Sequence, residues 1–531
     1  MNLVHLCNRI TRYSIHSGYV ASLLPRWRSF SRACANPEAE QAQILDSIVS
    51  RNRDTEYGRR HRFTEITSPR KFQELLPIVD YDALEPFLLR MAAGESDVLT
   101  HDRVRFFELS GGSSSANKLI PFTEPLLGEI ARSTQAWIFD IYRNFPALLG
   151  SRSYWAISPA VRETRHTKGG IPIGIEDDTE YFGPLARWAL TRLMAAPASL
   201  ASLASFDEWR VQTLKYLLES RDLGLVSVWH PSFLVLLLEY LEAHPDVVLA
   251  RVEPRRRTEL SAAFTQSGKF SPHIAWPHLN FLSCWTEGSA TPFLPRLDRW
   301  FPNCTRQGKG LLATEGVVTI PVTGVTGGCP IAVNGHFLEF IDLEHPDRTP
   351  KLTHELQTGG RYSPILTTSG GLYRYHLKDE VICTGRYHNT PTLRFVGKLD
   401  TISDLRGEKI TPAQVDVALE RARLELKTEF TFAMLAPGQG DPPGYILFVE
   451  TDLPSEALLR LADIIDTTLS EGHHYAYCRR IGQLAKVTTH RVTQGLATWQ
   501  AALSEQGFRA GSLKPLSLDL RSNWEHLFPH R

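Results

Sequence analysis

A chain of 531 residues exceeds what one hydrophobic core usually serves, so two or three domains and room for a substrate pocket are expected. Basic and acidic residues balance at 58 each, which argues against a polyanion-binding surface and so against nucleic acid as a partner. Seven cysteines (Cys7, Cys34, Cys284, Cys304, Cys329, Cys383 and Cys478) lack CxxC spacing and suit a reducing compartment better than a disulfide framework.

The first thirty residues carry several arginines, few acids and no continuous apolar core, so they read as an amphipathic helix rather than a leader. The most apolar run, Phe233 to Leu238, is far shorter than the roughly 20 residues of a membrane helix, and Glu239 interrupts it. A cytoplasmic monomer with no membrane partner is expected.

From Pro37 to Val49 the apolar spacing is helical, and residues 52 to 63 are polar and turn-rich. Residues 104 to 110 read as a buried strand. A Gly/Ser loop follows at 110 to 117, and Thr123 is placed to cap the next helix. Short apolar runs at 153 to 158, 225 to 229, 279 to 284 and 310 to 313 alternate with helical stretches, which predicts α/β layering with largely parallel strands. From about 317 to 397 the text is β-rich, as a smaller barrel-like subdomain or an antiparallel sheet would be. After Gly397 come a polar hinge at 398 to 400, a helix from Pro412, a strand at 444 to 450 and a helix at 455 to 470. The fold class is therefore α/β. A large N-terminal domain spans 1 to 397, and a small mobile α+β domain spans 398 to 531.

Four segments carry candidate chemistry. Ser110 to Lys118 combines glycines, which let backbone approach a phosphate, with hydroxyls and a lysine for its charge; it is not a Walker loop, and a plain flexible loop would look similar. Ala313-Thr314-Glu315-Gly316 offers a hydroxyl for an α-phosphate and a carboxylate for Mg2+, or simply a turn. Gly371 to Asp379 is a strand ending in an acid suited to paired ribose hydroxyls, or a surface strand with a salt bridge. Phe395 to Asp400, continuing to Arg406-Gly407-Glu408-Lys409-Ile410-Thr411-Pro412, is a polar hinge before a helix, or an inert linker.

Their joint order resembles the adenylate-forming enzymes: acyl-CoA synthetases, luciferases and peptide-synthetase adenylation domains. Within that group NRDTEYGRRHRF, FQELLPIVDYDALEPFLLRMAAGESDVLT, SGGSSSANKLIPFT, GGIPIG, WPHLNFLSCWTEGSATPF and GRYHNTPTLRFVGK resemble the auxin-responsive Gretchen Hagen family of acyl-acid amido synthetases. The resemblance spans about 45 to 415 and weakens beyond.

The resemblance implies an ATP-dependent ligase that converts a carboxylic acid to acyl-AMP and passes the acyl group to an amine, such as that of an amino acid, with ATP and Mg2+ required. It places Ser113, Ser114, Ser115 and Lys118 around the triphosphate, Thr314 at the α-phosphate and acyl carboxylate, Glu315 on Mg2+ and Asp379 on the ribose. It also implies Lys398 in the hinge, Lys409 reaching the adenylate, and Lys514 in a terminal lysine segment. There are three departures from the family pattern: Ala116-Asn117 stands where glycine is common, Lys378 replaces a usual glycine, and Lys398 replaces a frequent arginine and loses its bidentate fork. The acyl pocket is expected between the helix after Thr123 and segments 153 to 182 and 225 to 236. Trp155, Arg162, Tyr181 and Trp229 are its candidate walls, with Arg165, His166 and His230 nearby. An acyl-CoA ligase with a thiol acceptor, and a silent nucleotide-binding scaffold, are the alternatives.

Overall fold

The computed structural model describes residues 3–111, 117–155, 165–174, 192–197, 199–200, 203, 205–264, 268–399, 402–505 and 515–528. The chain separates into two units, residues 1–286 with 293–395 and residues 287–292 with 396–531. No helix among the described residues is long and apolar enough to cross a membrane.

The first unit opens with helix α1 (Leu3–Ala35) and α2 (Pro37–Asn52). Leu23, Trp27, Phe30 and Cys34 recur at helical spacing and are buried, so the later half of α1 packs an apolar face on the body, whereas nearer its start Arg12 and His16 are buried and Ile10 and Tyr13 exposed, which is not the expected amphipathic pattern. Its docking partner is α6 (Glu124–Asn144), where Trp27 stacks on Phe139 at 6.0 Å and Arg143 lies 4.3 Å over the Trp27 ring. Between them come α3 (Glu56–Arg60), α4 (Pro69–Leu75) and α5 (Tyr81–Ala92). Thr123 caps α6 as expected, its side chain accepting from the Leu126 N–H at 3.4 Å.

Strands β1 (Val104–Gly111) and β2 (Asn117–Thr123) pair antiparallel, with Ser110 opposite Lys118. β4 (Arg165–His166) and β5 (Pro172–Ile173) complete that sheet in the order β2-β1-β5-β4. A second sheet holds β3 (Arg152–Trp155), β6 (Leu223–Ser227), β7 (Phe281–Cys284) and β8 (Thr305–Gly308) in that order, every pairing parallel. Three of its strands match the apolar runs of the sequence. The fourth is a correction: it is β8, and the run expected as a strand at 310–313 supplies instead β9 (Leu312–Ala313), paired only with β10 (Gly316–Val317) in a short hairpin. Thr-Arg-Gln-Gly lies at the sheet edge, exposed to half-buried, so it lacks the apolar signature of the buried strands beside it.

The β-rich stretch forms a seven-stranded sheet in the order β11-β17-β16-β14-β12-β13, with β15 paired to β14. These are β11 (Cys329–Pro330), β12 (Phe337–Asp342), β13 (Lys351–Leu352), β14 (Arg361–Thr367), β15 (Tyr375–His376), β16 (Asp379–Tyr387) and β17 (Thr390–Lys398). The pairings recorded for β11 through β15 are antiparallel, so of the two expected forms it is the antiparallel sheet. An ion pair buried beneath it ties it to α4. Arg374 meets Glu339 at 2.9 Å and donates to the carbonyls of Gln73 and Leu76, while the Gln73 amide donates to Glu339 at 2.8 Å.

In the second unit β18 (Phe432–Gly438) and β19 (Gly444–Glu450) form an antiparallel pair, and β20 (Thr488–Arg491) joins β19 in parallel. The helices Pro412–Leu426 and Ser455–Leu469 bury Val415, Leu419, Leu461 and Ile465 in a core shared with Leu435 and Leu447. Thr411 starts the first helix through a reciprocal capping box with Gln414.

Candidate active site

Thr314 and Glu315 form the turn between β9 and β10, the threonine half-buried and the carboxylate 8% exposed. Two glycines of this segment, Gly310 and Gly316, are packed too closely to carry a side chain. A methyl on Gly310 would collide with the Thr319 carbonyl, and one on Gly316 would sit 2.8 Å from His336 Nε2 and from Leu366. Behind the turn His336 is fully buried, its Nδ1 2.7 Å from Glu129, and the same carboxylate accepts from the Ser369 N–H and hydroxyl. A hydroxyl and a carboxylate from adjacent residues give hard oxygen donors, the kind Mg2+ takes.

Lys118 is the second residue of β2, its ammonium 5.7 Å from the Tyr81 ring centre, and the Tyr81 hydroxyl accepts from the Leu119 N–H at 3.0 Å. Asp379 opens β16, 2% exposed, and its carbonyl accepts from the Ser363 hydroxyl at 2.7 Å. The preceding Lys378 has φ +58°, inside the left-handed region, and its ammonium is 3.3 Å from Asp80. That φ is one glycine adopts most readily, in keeping with the glycine the family resemblance implies here; this chain has a lysine in that conformation with an ion pair to Asp80.

The parallel sheet delivers a second cluster at the carboxyl ends of its strands, the edge where open α/β sheets bind ligands. Trp155 ends β3, Ser227 ends β6, and the ladder runs on through Trp229 and Trp285, joined by the Trp285 N–H to the Trp229 carbonyl at 2.8 Å. Lys309 follows β8 directly, its N–H bonded to the Cys284 carbonyl. From α6, Trp137 meets Trp155 edge to face at 6.0 Å and donates its indole N–H to Gln307 of β8 at 2.8 Å. The Lys309 ammonium lies 4.9 Å from the Trp137 ring, 5.0 Å from Trp229 and 5.7 Å from Trp155, and donates to the Ser227 hydroxyl at 2.8 Å. Burial pushes its pKa down to about 7, whereas the indole faces favour the charged form. The titratable group facing it is the Cys284 thiol, itself raised to about 11 by burial.

Trp155 and Trp229, both expected as pocket walls, are thus brought together. Lys309, Trp137 and Ser227 were missed: a lysine beside a glycine reads as a surface charge, and Trp137 as one more apolar helix position. His230 has a local role, its Nδ1 accepting from the Ser232 N–H as it caps the helix Pro231–Ala243. Ser113, Ser114, Ser115, Arg162, Tyr181 and Lys514 lie outside the described residues.

In the second unit Lys398 ends β17 and Lys409 is exposed, with φ +50°. Its loop is closed by reciprocal Ser403 and Ile410 backbone bonds of 2.8 and 2.9 Å. The buried Glu408 carboxylate anchors it from inside, accepting from the N–H groups of Leu405 and Arg406 and from the Tyr445 hydroxyl.

Comparison with known proteins finds the GH3 family N-terminal domain over residues 26–254, its central domain over 329–398 and its C-terminal domain over 413–518. Residues 255–328, which include the Thr314 turn and Lys309, fall between the first two. Among curated relatives, the chain is 25% identical to a putative indole-3-acetic acid-amido synthetase of Oryza sativa subsp. japonica, over 74% of this chain and 85% of that one. It is 23% identical to a jasmonoyl-L-amino acid synthetase of Nicotiana attenuata, over 86% of each chain. It is 22% identical to a 4-substituted benzoates-glutamate ligase of Arabidopsis thaliana, over 87% of this chain and 89% of that one. The fold is that of the AtGH3.15 acyl acid amido synthetase solved in complex with 2,4-DB, with a TM-score of 0.83 at 17% identity over 96% of this chain and 95% of that one.

Proposed function

The chain belongs to the GH3 family, and from that premise we propose that it is an acyl-acid amido synthetase that uses ATP to join a carboxylic acid to an amine, probed first with amino acids. A carboxylate oxygen attacks the α-phosphorus and pyrophosphate leaves with the bonding pair. The amine nitrogen then attacks the acyl carbon, the bond to AMP breaks, and the nitrogen gives up a proton.

The observation that carries this reading is the β9–β10 turn, which presents a half-buried threonine and a buried glutamate as consecutive residues, Thr314 and Glu315, on the segment leading out of the tryptophan-lined edge. In this reading Thr314 donates to an α-phosphate oxygen, Lys118 and the serines 113 to 115 hold the distal phosphates, and Asp379 accepts from the ribose hydroxyls. Glu315 would hold Mg2+, which supplies charge neutralisation to the phosphates when bound. Lys409, extended by its anchored loop, serves the adenylate, with Lys398 and Lys514 as further cationic contacts. The segment after β17 is the proposed hinge between an adenylating body and a mobile C-terminal domain. The protein acts in the cytoplasm as a monomer.

The test is acid-dependent ATP–pyrophosphate exchange across aromatic, indole and aliphatic acids, followed by mass analysis after amino acids and coenzyme A are added. Exchange with an amide product is expected. A thioester alone would reassign the chain to thiol transfer, and no exchange with any acid would leave a silent scaffold.

A further inference from the structure

Lys309 is 8% exposed, yet among the described residues no carboxylate faces it: its recorded partners are the Ser227 hydroxyl and the three indole faces. An ammonium has three N–H donors, and the hydroxyl takes one of them. A buried cation without an anionic partner is a costly arrangement that packing alone does not require, since a methionine would fill the same space. One wall of the cage, Trp229, is nonetheless 38% exposed, so the cluster reaches the protein surface. Its place is the carboxyl edge of the parallel sheet, and Thr314 lies five positions further along, so the two Cα atoms are within roughly 18 Å of one another.

We propose that Lys309 is a specificity-determining residue that reads the far end of the acid: the indole walls of Trp137, Trp155 and Trp229 take a planar ring, and the Lys309 ammonium pairs with a second anionic group on that ring. This rests on the ligase reading above, which places the reacting carboxylate at Thr314. The preferred substrate class is then an aromatic acid bearing a distal carboxylate or similar anion, and a monoacid of the same shape leaves the cation uncompensated.

The test pairs acids that differ only in that group, benzoate with benzene-1,4-dicarboxylate and phenylacetate with 4-carboxyphenylacetate. It uses the full chain and its Lys309→Met variant, measuring KM and kcat in ATP–pyrophosphate exchange and, without ATP, binding by quenching of tryptophan fluorescence. Wild type is expected to favour the diacid by about tenfold or more, mainly through KM, with the preference lost in Lys309→Met. Equal use of both acids by wild type, or a Lys309→Met loss that falls equally on both, overturns the proposal while leaving the ligase reading intact. Lys309-dependent quenching by the diacid, with no exchange from any acid of the aromatic, indole and aliphatic panel, keeps the site and removes the ligase reading. Absence of both signals removes the two together. Should Lys309→Met fail to fold, the wild-type preference and Lys309→Gln decide the matter.

Discussion

Lys309 shows how one residue sets both recognition and stability. Its folded pKa near 7 lies below the value of about 10.4 expected in an unfolded chain, so between those values the unfolded state binds more protons. Its contribution to stability is therefore lowest below pH 7 and rises with pH towards 10. At about 1.4 kcal/mol per pKa unit, less the attraction of the indole faces, Lys309→Met should stabilise the chain by roughly 2–4 kcal/mol at pH 7. Urea unfolding at pH 7 and pH 9 reads this as a gain that shrinks at the higher pH; a variant less stable at both would contradict it. Gly316 is constrained in the opposite sense. An added methyl meets His336 and Leu366 at 2.8 Å, so Gly316→Ala should cost about 1–3 kcal/mol and lower exchange activity by displacing Glu315. Unchanged stability and activity would mean the turn has room to shift.

At the scale of elements, Arg374 sits in a motif that reads as nucleotide-binding, but its guanidinium is committed to Glu339 and to the carbonyls of α4 and the residue after it. Arg374→Met should destabilise by about 3–5 kcal/mol, because Glu339 is left charged and buried, and adding Glu339→Leu should recover a large part of that loss. The double variant falling further than the single would show that the carboxylate has other essential partners. Thr411→Ala removes the capping box of the helix Pro412–Leu426 and should cost about 1 kcal/mol, visible as a lower midpoint in urea. At Thr411 the sequence marked only a helix start at Pro412, whereas the Thr123 cap was legible from residue type and position, since caps depend on neighbours three residues away. Strand β8 was not: an edge strand reads as Thr-Arg-Gln-Gly because only its neighbours are buried on both sides.

For the whole molecule, the chain divides between Phe395 and Val396, just before the polar stretch proposed as the hinge. Limited proteolysis should cut within 398–400, and ATP with a substrate acid should change the cutting rate; a rate indifferent to both would remove the hinge. The α/β class, the parallel strands, the β-rich stretch and the order of the Thr314, Asp379 and Lys409 segments were determined by sequence alone, because periodicity, caps and short motifs are local. So was the family resemblance, although its motifs fade near 415 where the C-terminal family domain matches to 518. Tertiary structure decided what long-range convergence decides. It gave His336 to Glu129 across 207 residues and Arg374 to Glu339. It also drew Trp155, Ser227 and Trp229 around Lys309, because parallel strands end at one edge however far apart they lie in the chain, while α6 packs Trp137 against them, and burial there turns an ordinary lysine into a recognition group.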